Sequence, residues 1–450
     1  MRDNERDGEG IKRFLLRGFL GSGALRICFT LLNLAIAIFL ARALGPKGYG
    51  IYAFAYAQIS LLAIPAQMGL PTLVMREVAR YHLKKEWGNL KGILRRANQA
   101  VVIFSALLVM GAIVVVWFLN GGMITTQMET SAWALLLVPL ISLGKIRAAA
   151  LRGFNKVVLG QLPEMLFLPA LLLLFICIAL WQGNLTPPKA MGLHGLAAGF
   201  AFVIGLILLQ RAIPLPLNHA LPTYKTKDWF NSILPLSLIS GMQVINSQAA
   251  IVILGFFASS EDVGLYRAAF QAANIVSLSL IAINAVIAPQ ITRLYHEDDK
   301  ERLQRMVTWS ARVILAVSLP LATILIFFGE LILKLVFGDG YVDGSTVLII
   351  LCLGQLINAA MGSVSLLLNM TGHERDTAKG LMIAAISNIL LNLILIPSFG
   401  IEGAAAATAL SLAGWNILLN RQVKRRIGVD SSAFRIKIKR LNFISSHKDK

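Results

Sequence analysis

YGIYAFAYAQISLLAIPAQMGLPTLV, residues 49–74, runs for 26 residues without an Asp, Glu, Lys or Arg. A hydrocarbon core about 30 Å thick is crossed by roughly 20 residues of apolar helix. No water is available there to satisfy the backbone, so a run of this length reads as a membrane-spanning helix. Working outward, eleven more such runs lie at 22–44, 99–119, 131–151, 160–181, 191–213, 229–257, 263–292, 307–328, 345–370, 377–397 and 401–420. The composition agrees. The 450 residues are 56% hydrophobic and only 14% charged, whereas a soluble domain carries about 25% charged residues. Soluble globular domains and disorder are both excluded. The predicted fold class is an all-α polytopic membrane protein with about twelve transmembrane helices.

The two halves repeat one another. Gly50-Ile51-Tyr52 opens the second span, and Gly264-Leu265-Tyr266 opens the eighth, 214 positions on. Gly153 follows the fourth span and Gly372 the tenth, 219 apart. Gly192-Leu193-His194-Gly195 opens the sixth, and Gly400-Ile401-Glu402-Gly403 opens the twelfth, 208 apart. Three ordered landmarks at near-constant offset predict two pseudo-symmetric six-helix bundles. Six is even, so the repeats are parallel, related by an axis along the membrane normal, as suits a transporter that rocks about a central site. The expected layout is a cytoplasmic amphipathic N-terminus (1–21), an N-lobe (22–213), a linker (214–228) holding part of the proline-rich RAIPLPLNHALPTYKTKD, a C-lobe (229–420) and a basic tail (421–450).

The net charge of +19 is distributed unevenly. Of 42 Lys and Arg, 36 fall on the side of the termini, with Lys145 and Arg147 counted among the loop charges there. Five fall opposite, and Arg26 lies inside the first span. This is the positive-inside pattern, so both termini are expected in the cytoplasm. It accounts for the basic balance through topology and anionic lipid, without nucleic acid. IKRFLLRGFL (11–20) and FRIKIKRLNF (434–443) read as interfacial anchors, and 75–98 as a stretch with a surface helix. MRDNERDGEG at the start lacks the apolar core of a signal peptide, so the first run is expected to remain as a span.

FLARALGPKGYGIYAFAYA (39–57), QMGLPTLVMREVAR (67–80), GLYRAAFQ (264–271) and GIEGAAAATAL (400–410) resemble the flippases of bacterial polysaccharide biosynthesis. Those are the O-antigen and exopolysaccharide unit transporters of the multidrug/oligosaccharidyl-lipid/polysaccharide (MOP) superfamily. The resemblance covers nearly the whole chain. It implies a MATE-like fold with a V-shaped cavity lined by the first two helices of each half. It also implies a lipid-linked oligosaccharide substrate on undecaprenyl pyrophosphate, moved from the inner to the outer leaflet of the bacterial cytoplasmic membrane by alternating access. Membrane lipids and other polysaccharide-assembly membrane proteins are the expected partners. Gln67 stands where relatives often carry an acid, which argues against an acidic coupling site at that position.

A flippase must supply a polar path for sugars and phosphates, because unsatisfied polar groups in hydrocarbon cost several kcal/mol each. Arginine suits the phosphates, since it stays charged and binds in bidentate fashion. Arg26, Thr30 and Asn33 follow i, i+4, i+7 on the first span, and Arg267, Gln271 and Asn274 repeat that spacing on the eighth. Ser240, Gln243 and Ser247 form a stripe on the seventh, with Asn246 beside it, and Arg42 sits at the end of the first. Snorkelling to headgroups is the competing reading for the arginines, and interhelical glue for the amides. Tyr56 is a candidate to stack on sugar rings, while Tyr49 and Tyr52 read as part of the interfacial aromatic belt. Gln355 and Asn358 on the tenth span read as packing. Glu164, the one carboxylate within a span, is a candidate coupling site or a helix cap.

Enzyme chemistry has no foothold in the pattern. Paired intramembrane carboxylates, HExxH and a phosphate-binding GxxxxGK[ST] loop are all absent, so neither acid–base catalysis nor an ATPase module is encoded. Cys28, Cys177 and Cys352 lie in apolar runs without metal spacing, and no cofactor is expected. A drug/cation antiporter of the same superfamily is one alternative. It calls for acidic residues where this chain offers arginines and amides. A membrane glycan polymerase or ligase is another, and it calls for a sizeable outward loop.

Overall fold

Leu44-Gly45-Pro46 is where the chain first turns back. Gly45 adopts φ 66° and ψ 176°, a backbone region open to glycine at little cost. Pro46 follows, with no N–H to continue the helical ladder. One helical stretch, α1 (Arg2–Gln67), therefore crosses the bilayer twice. The computed structural model describes residues 2–119, 125–183 and 185–434, with side-chain surroundings from residue 21 onward apart from 115–119, 218, 227–228, 230–236 and 238–240. Residues 435–443 of the proposed tail anchor and the side chains of 11–20 and Ser240 lie outside the described residues.

The N-terminal half continues with α2 (Leu70–Leu83), α3 (Trp87–Leu119), α4 (Thr126–Leu135), α5 (Leu137–Gly153) and α6 (Val157–Leu162). A π-helical turn at Pro163–Phe167 leads into α7 (Leu168–Trp181), then α8 (Pro187–Ala212). The short α9 (Leu215–His219) lies in the linker. The second half comprises α10 (Thr226–Phe257), α11 (Ser260–Ala273), α12 (Leu278–His296), α13 (Lys300–Phe327), α14 (Gly329–Val336), α15 (Ser345–Met361), α16 (Val364–Met370) and α17 (Glu374–Arg426). The last of these is broken at Gly400, φ 55°. Like α1, it crosses twice. Among the described residues nine helical stretches are long and apolar enough to cross, counting α4 with α5, α6 with α7 and α11 with α12 as one each; with α1 and α17 each crossing twice and α10 added, the crossings come to twelve, six in each half.

The second crossing ends at Gln67, short of residue 74. Met68 (φ 46°) and Gly69 (φ 69°) both leave the helical region. The chain restarts as α2, which buries Leu73, Val74 and Val78. The surface helix is therefore residues 70–83, and 87–98 form the first turns of α3.

The lobes share one continuous core at one end. A single apolar cluster takes in Leu40, Tyr49 and Ile59 of α1, Ile176 of α7 and Met191 of α8 from the first half. From the second half it takes in Leu254, Tyr266, Phe337, Leu348 and Ala404. All but Ile59 lie toward the Gly45 and Gly400 turns, the charge-poor end. At the charge-rich end the cores separate. One cluster holds Leu73, Leu90 and Ile146 of the N-lobe, joined by Trp229 at the start of α10, whose Nε1 donates to the Tyr81 hydroxyl at 3.2 Å, and the other holds Ile291, Leu303, Leu367 and Leu419. Two bundles that share a core at one end and divide at the other enclose a V-shaped space. Its side is partly closed by α1, whose Gly23 packs closely on Ala285 of α12.

The repeat glycines make the joined end. A Cβ on Gly50 would fall on the Ser260 carbonyl, 2.8 Å from its carbon and 2.9 Å from the Gly264 nitrogen. A Cβ on Gly264 would fall on the Pro46 carbonyl, 2.9 Å from its carbon and 3.2 Å from the Gly50 nitrogen. The contact is reciprocal, as expected of equivalent residues about a two-fold pseudo-axis. The next landmark residues agree. Tyr52 OH lies 2.8 Å from His194 Nδ1, and Tyr266 OH lies 2.9 Å from Thr408 Oγ1, each pair 142 residues apart.

A polar cavity between the lobes

A cavity of about 340 Å³ occupies the V. Both arms of α1 wall it, together with α5, the Pro163–Phe167 turn, α8, α10 and α11. Most of its lining is therefore N-lobe.

Tyr49, Tyr52 and Tyr56 all face it. Their i, i+3, i+7 spacing puts them on one helix face, and that face is turned inward rather than to an interfacial belt. Tyr49 and Tyr52 are buried. His194 stacks on Tyr56 with ring centroids 5.2 Å apart and planes 19° off parallel, while it hydrogen-bonds Tyr52. The result is a stiff aromatic platform with polar edges, suited to stacking a sugar ring.

Arg267 enters the cavity from α11, with its guanidinium against the Tyr49 phenol. Gln271, one turn on, reaches across the lobe boundary, where its Nε2 donates to the Asn33 carbonyl at 3.5 Å. Asn33 also lines the cavity, although its own Nδ2 donates back to the Phe29 carbonyl at 2.8 Å. The candidates Asn33, Tyr56, Arg267, Gln271 and Glu164 are thus brought together.

The other candidates lie elsewhere. Arg26 is exposed, on a helix stretch whose neighbours Ala24, Ile27 and Leu31 line a shallow apolar groove. The Thr30 hydroxyl donates to the Arg26 carbonyl at 2.9 Å. Arg42 is an inter-lobe clamp. Its Nε donates to the Val336 carbonyl at 2.8 Å and its Nη2 to the Leu335 carbonyl, so it caps the last turn of α14. Gln243 is exposed. Asn246 ties α10 to α17 through the Leu381 carbonyl at 3.4 Å. Asn274 accepts from Gln355 Nε2 at 3.2 Å and opens an amide ladder through Asn358 to Asn416. Asn246 and Asn274 thus serve as interhelical glue.

Two cations missed as site residues are Lys145 and Arg147. The sequence counted them as loop charges, but α5 runs on to Gly153 and carries both into the cavity wall. The Arg147 guanidinium sits 3.4 Å over the Phe202 ring centroid, and its Nη1 is buried with no partner. Their place inside the predicted span 131–151 was the available signal. Ser247 and Gln248 of α10 also line the cavity, and Gln248 Oε1 is buried and unpaired.

Glu164 is the cavity's one carboxylate. The Leu168 N–H bonds the Pro163 carbonyl, the wide spacing of a π turn, a feature often found at functional sites. It rotates Glu164 toward α5 and lays Oε1 beside Gly144, where a side chain would crowd it. Glu164 Oε1 is buried without a hydrogen-bond partner, which does not fit a helix cap.

Residues 39–346 match the model of a family described as polysaccharide biosynthesis protein. The "Probable low-salt glycan biosynthesis flippase Agl15" of Haloferax volcanii is 24% identical over 378 residues, 83% of this chain and 76% of that one. The "Putative O-antigen transporter" of Shigella flexneri is 25% identical over 398 residues, 84% of this chain and 90% of that one. Among solved structures, an inward-facing MATE family transporter of the MOP superfamily superposes with a TM-score of 0.70 at 14% identity, covering 89% of this chain and 94% of that one. The lipid II flippase MurJ in an inward closed conformation gives a TM-score of 0.68 at 15% identity, covering 88% and 86%.

Proposed function

The chain belongs to the polysaccharide biosynthesis protein family, and from that premise we propose that it is a flippase for a lipid-linked glycan unit. In the finer form of this proposal the carrier is a polyprenyl pyrophosphate of the undecaprenyl kind. The unit enters from the inner leaflet, the charge-rich end is cytoplasmic with both termini, and delivery is to the outer leaflet for surface-glycan assembly.

One observation carries the reading. Three cations, Arg267, Lys145 and Arg147, face a single carboxylate in a cavity whose other wall is aromatic. Charge of that sign attracts a phosphate or pyrophosphate. Tyrosine and histidine rings offer stacking faces for sugar. A cavity built for cationic drugs would carry the opposite balance, which disfavours the antiporter alternative. The lipid tail stays in the bilayer while the head crosses in the polar path, so the cost of placing it in hydrocarbon is avoided.

Transport then follows from the two-ended packing. In the state described the charge-poor end is closed by the Gly50–Gly264 contact and the Arg42 clamp. Rocking the lobes about the cavity opens that end and closes the other.

The test is reconstitution of the full-length protein in liposomes holding a fluorescent polyprenyl-pyrophosphate disaccharide, followed by accessibility of the sugar to a membrane-impermeant lectin. Protein-dependent equilibration of the sugar between leaflets is expected. Equal rates with and without protein, alongside transport of cationic dyes, would overturn the reading in favour of an antiporter.

A further inference from the structure

The cations of the cavity do not form one cluster, and α8 serves as the ruler that separates them. A Cβ on Gly48 would lie 3.4 Å from Pro187 Cγ, so the first turn of α8 stands level with Tyr49, against whose phenol the Arg267 guanidinium rests. His194, two turns farther along α8, carries the aromatic platform with Tyr52 and Tyr56. Phe202, two turns farther again, lies under the Arg147 guanidinium. At about 1.5 Å of rise per residue, the platform is about 10 Å and Arg147 about 20 Å from the level of Arg267. No pyrophosphate spans that distance. The two stations also differ in what can reach them. α11 packs on α1 across the lobe boundary, where Gln271 meets Asn33, so Arg267 stands at the seam. The neighbours of α5 are α1, α2, α3, α6 and α8, all N-lobe, so Lys145 and Arg147 stand on the far wall.

We propose that the transported glycan is acidic: the α5 wall is a second anion station, which takes a carboxylate or sulfate on a sugar a few rings removed from the pyrophosphate. The pyrophosphate is joined directly to a lipid tail that stays in the bilayer, and the seam is where cavity and bilayer meet. The tethered phosphates therefore belong to Arg267, and the far wall is reached by the glycan alone. An intervening ring lies on the Tyr56–His194 platform, midway between the stations. The Arg147 end is built for an anion. Phe202 takes the face of the guanidinium at 3.4 Å and leaves its N–H edge free, and Nη1 is buried with no partner. An unpaired buried donor is costly until an acceptor arrives. Glu164 is not that acceptor, since its Oε1 is likewise buried and unpaired. A neutral hydroxyl offers a guanidinium one bond, whereas a carboxylate or sulfate offers two parallel charge-assisted ones. Lys145 adds its charge to the same wall. The proposal rests on the flippase reading and narrows its substrate class.

The experiment measures equilibrium binding to full-length protein in lipid nanodiscs at neutral pH. The probes are farnesyl pyrophosphate, its neutral glucose trisaccharide, and trisaccharides carrying glucuronate or a sulfated glucose at the second or third sugar. Wild type should bind the better-placed acidic trisaccharide about tenfold to a hundredfold more tightly than the neutral one. Whether glucuronate or sulfate gives the larger gain tells which acid the wall takes. Moving the glucuronate to the first sugar, next to the pyrophosphate, should remove most of the advantage. Arg147→Gln should erase the preference while costing farnesyl pyrophosphate far less than Arg267→Gln does. Arg267→Gln should weaken every probe and keep the preference. Equal wild-type affinity for acidic and neutral trisaccharides would overturn the acidic glycan. An advantage just as large at the first sugar, or a loss of farnesyl pyrophosphate in Arg147→Gln as deep as in Arg267→Gln, would merge the two stations and overturn it too. Each of these leaves the flippase reading standing, because the pyrophosphate still binds. Should Arg147→Gln not fold, the wild-type ranking of the probes decides. Folded wild type that binds none of them would overturn the flippase reading itself.

Discussion

Replacing Gly50 by Ala should force the charge-poor end open. The new Cβ would lie 2.8 Å from the Ser260 carbonyl carbon and 2.9 Å from the Gly264 nitrogen, whereas such atoms normally approach to about 3.5–4.0 Å. Both neighbours are backbone, so no side chain can swing aside. Ser260 cannot retreat either, because the first turn of α11 is pinned by a capping box. Ser259 Oγ accepts from the Asp262 N–H at 3.1 Å, and the Asp262 carboxylate accepts from the Ser259 N–H at 3.1 Å. The helices must therefore separate by about 1 Å, and forced overpacking of this kind costs about 1–3 kcal/mol. The cost falls only on states in which the two helices touch. It should shift the population toward the open state by about 5- to 150-fold. Gly264→Ala should act the same way through the Pro46 carbonyl. The double variant should do little more than either single one, because helices already apart no longer meet the second methyl. The assay is a spin-label distance between Lys47→Cys and Glu261→Cys, two exposed sites flanking the contact, with the three native cysteines replaced. Wild type should give one short distance, and Gly50→Ala a longer, broader one with slower glycan transport. Identical distance distributions would refute the reasoning, and so would strictly additive effects of the two alanines on the open population.

Four further outcomes are expected. Arg42→Gln removes the cap on the Leu335 and Val336 carbonyls and should loosen the same contact in the same direction, by about 1 kcal/mol; the spin-label pair reads it. Arg267→Gln should weaken head-group binding about tenfold to a hundredfold at unchanged expression, with Arg267→Lys retaining part of it; equilibrium binding of farnesyl pyrophosphate checks both. Asp430 fastens the segment after α17. Burial disfavours its charge, but the Ser432 N–H at 3.0 Å, the Ser432 hydroxyl at 2.8 Å and Lys424 at 3.0 Å outweigh that and hold its carboxyl below the usual range. A depressed carboxyl contributes stability that is present above the ordinary carboxyl range and lost as pH falls through the lowered value. Thermal stability should thus fall below about pH 4 in wild type and show a smaller acid loss in Asp430→Asn. Finally, a reporter active only in the cytoplasm should signal from fusions within 75–98 and 293–306 and stay silent at 120–130; the reverse result would invert the topology.

Much of the fold was legible because lipid leaves a chain few options. Runs of apolar residues become helices, Gly-Pro at 45–46 becomes a turn, and the repeat spacing imposes two bundles. Cavity residues were harder to read, since a helix face has no label until its neighbours are placed. Arg26 shares its spacing with the cavity-lining Asn33, and Gln243 with the cavity-lining Ser247, yet both emerge on exposed faces away from the cavity. Arg42 turned out to serve α14, 293 residues away in sequence from its carbonyl partner Leu335. Lys145 and Arg147 looked like positive-inside loop charges, because a cation near a span end usually is one. Only the continuation of α5 to Gly153 shows them within the wall. Glu164 was visible as an intramembrane acid, but its orientation depends on a π turn that no residue pattern announced.

The repeat also explains why the polar wall is one-sided. At the offset of 214, Tyr52 and Tyr56 correspond to Tyr266 and Phe270, and Thr408 takes the part of His194 as the tyrosine's partner. The scaffold interaction survives in both lobes as a tyrosine hydroxyl bonded to the lobe's last helix. Around it the chemistry diverges. The N-lobe copy adds a second phenol and an imidazole that face the cavity. In the C-lobe copy Tyr266 packs on Phe270 instead. At the offset of 219 set by Gly153 and Gly372, Lys145 and Arg147 correspond to Val364 and Leu366, which belong to or pack on the C-lobe core. Equivalent positions that are charged on one side and apolar on the other do not follow from folding, since the apolar version folds as well. The N-lobe residues therefore carry a burden that the C-lobe residues do not. That burden is costly inside a bilayer, and it falls on the wall that faces the cavity. The C-lobe, braced by its amide ladder, supplies the surface against which that wall moves.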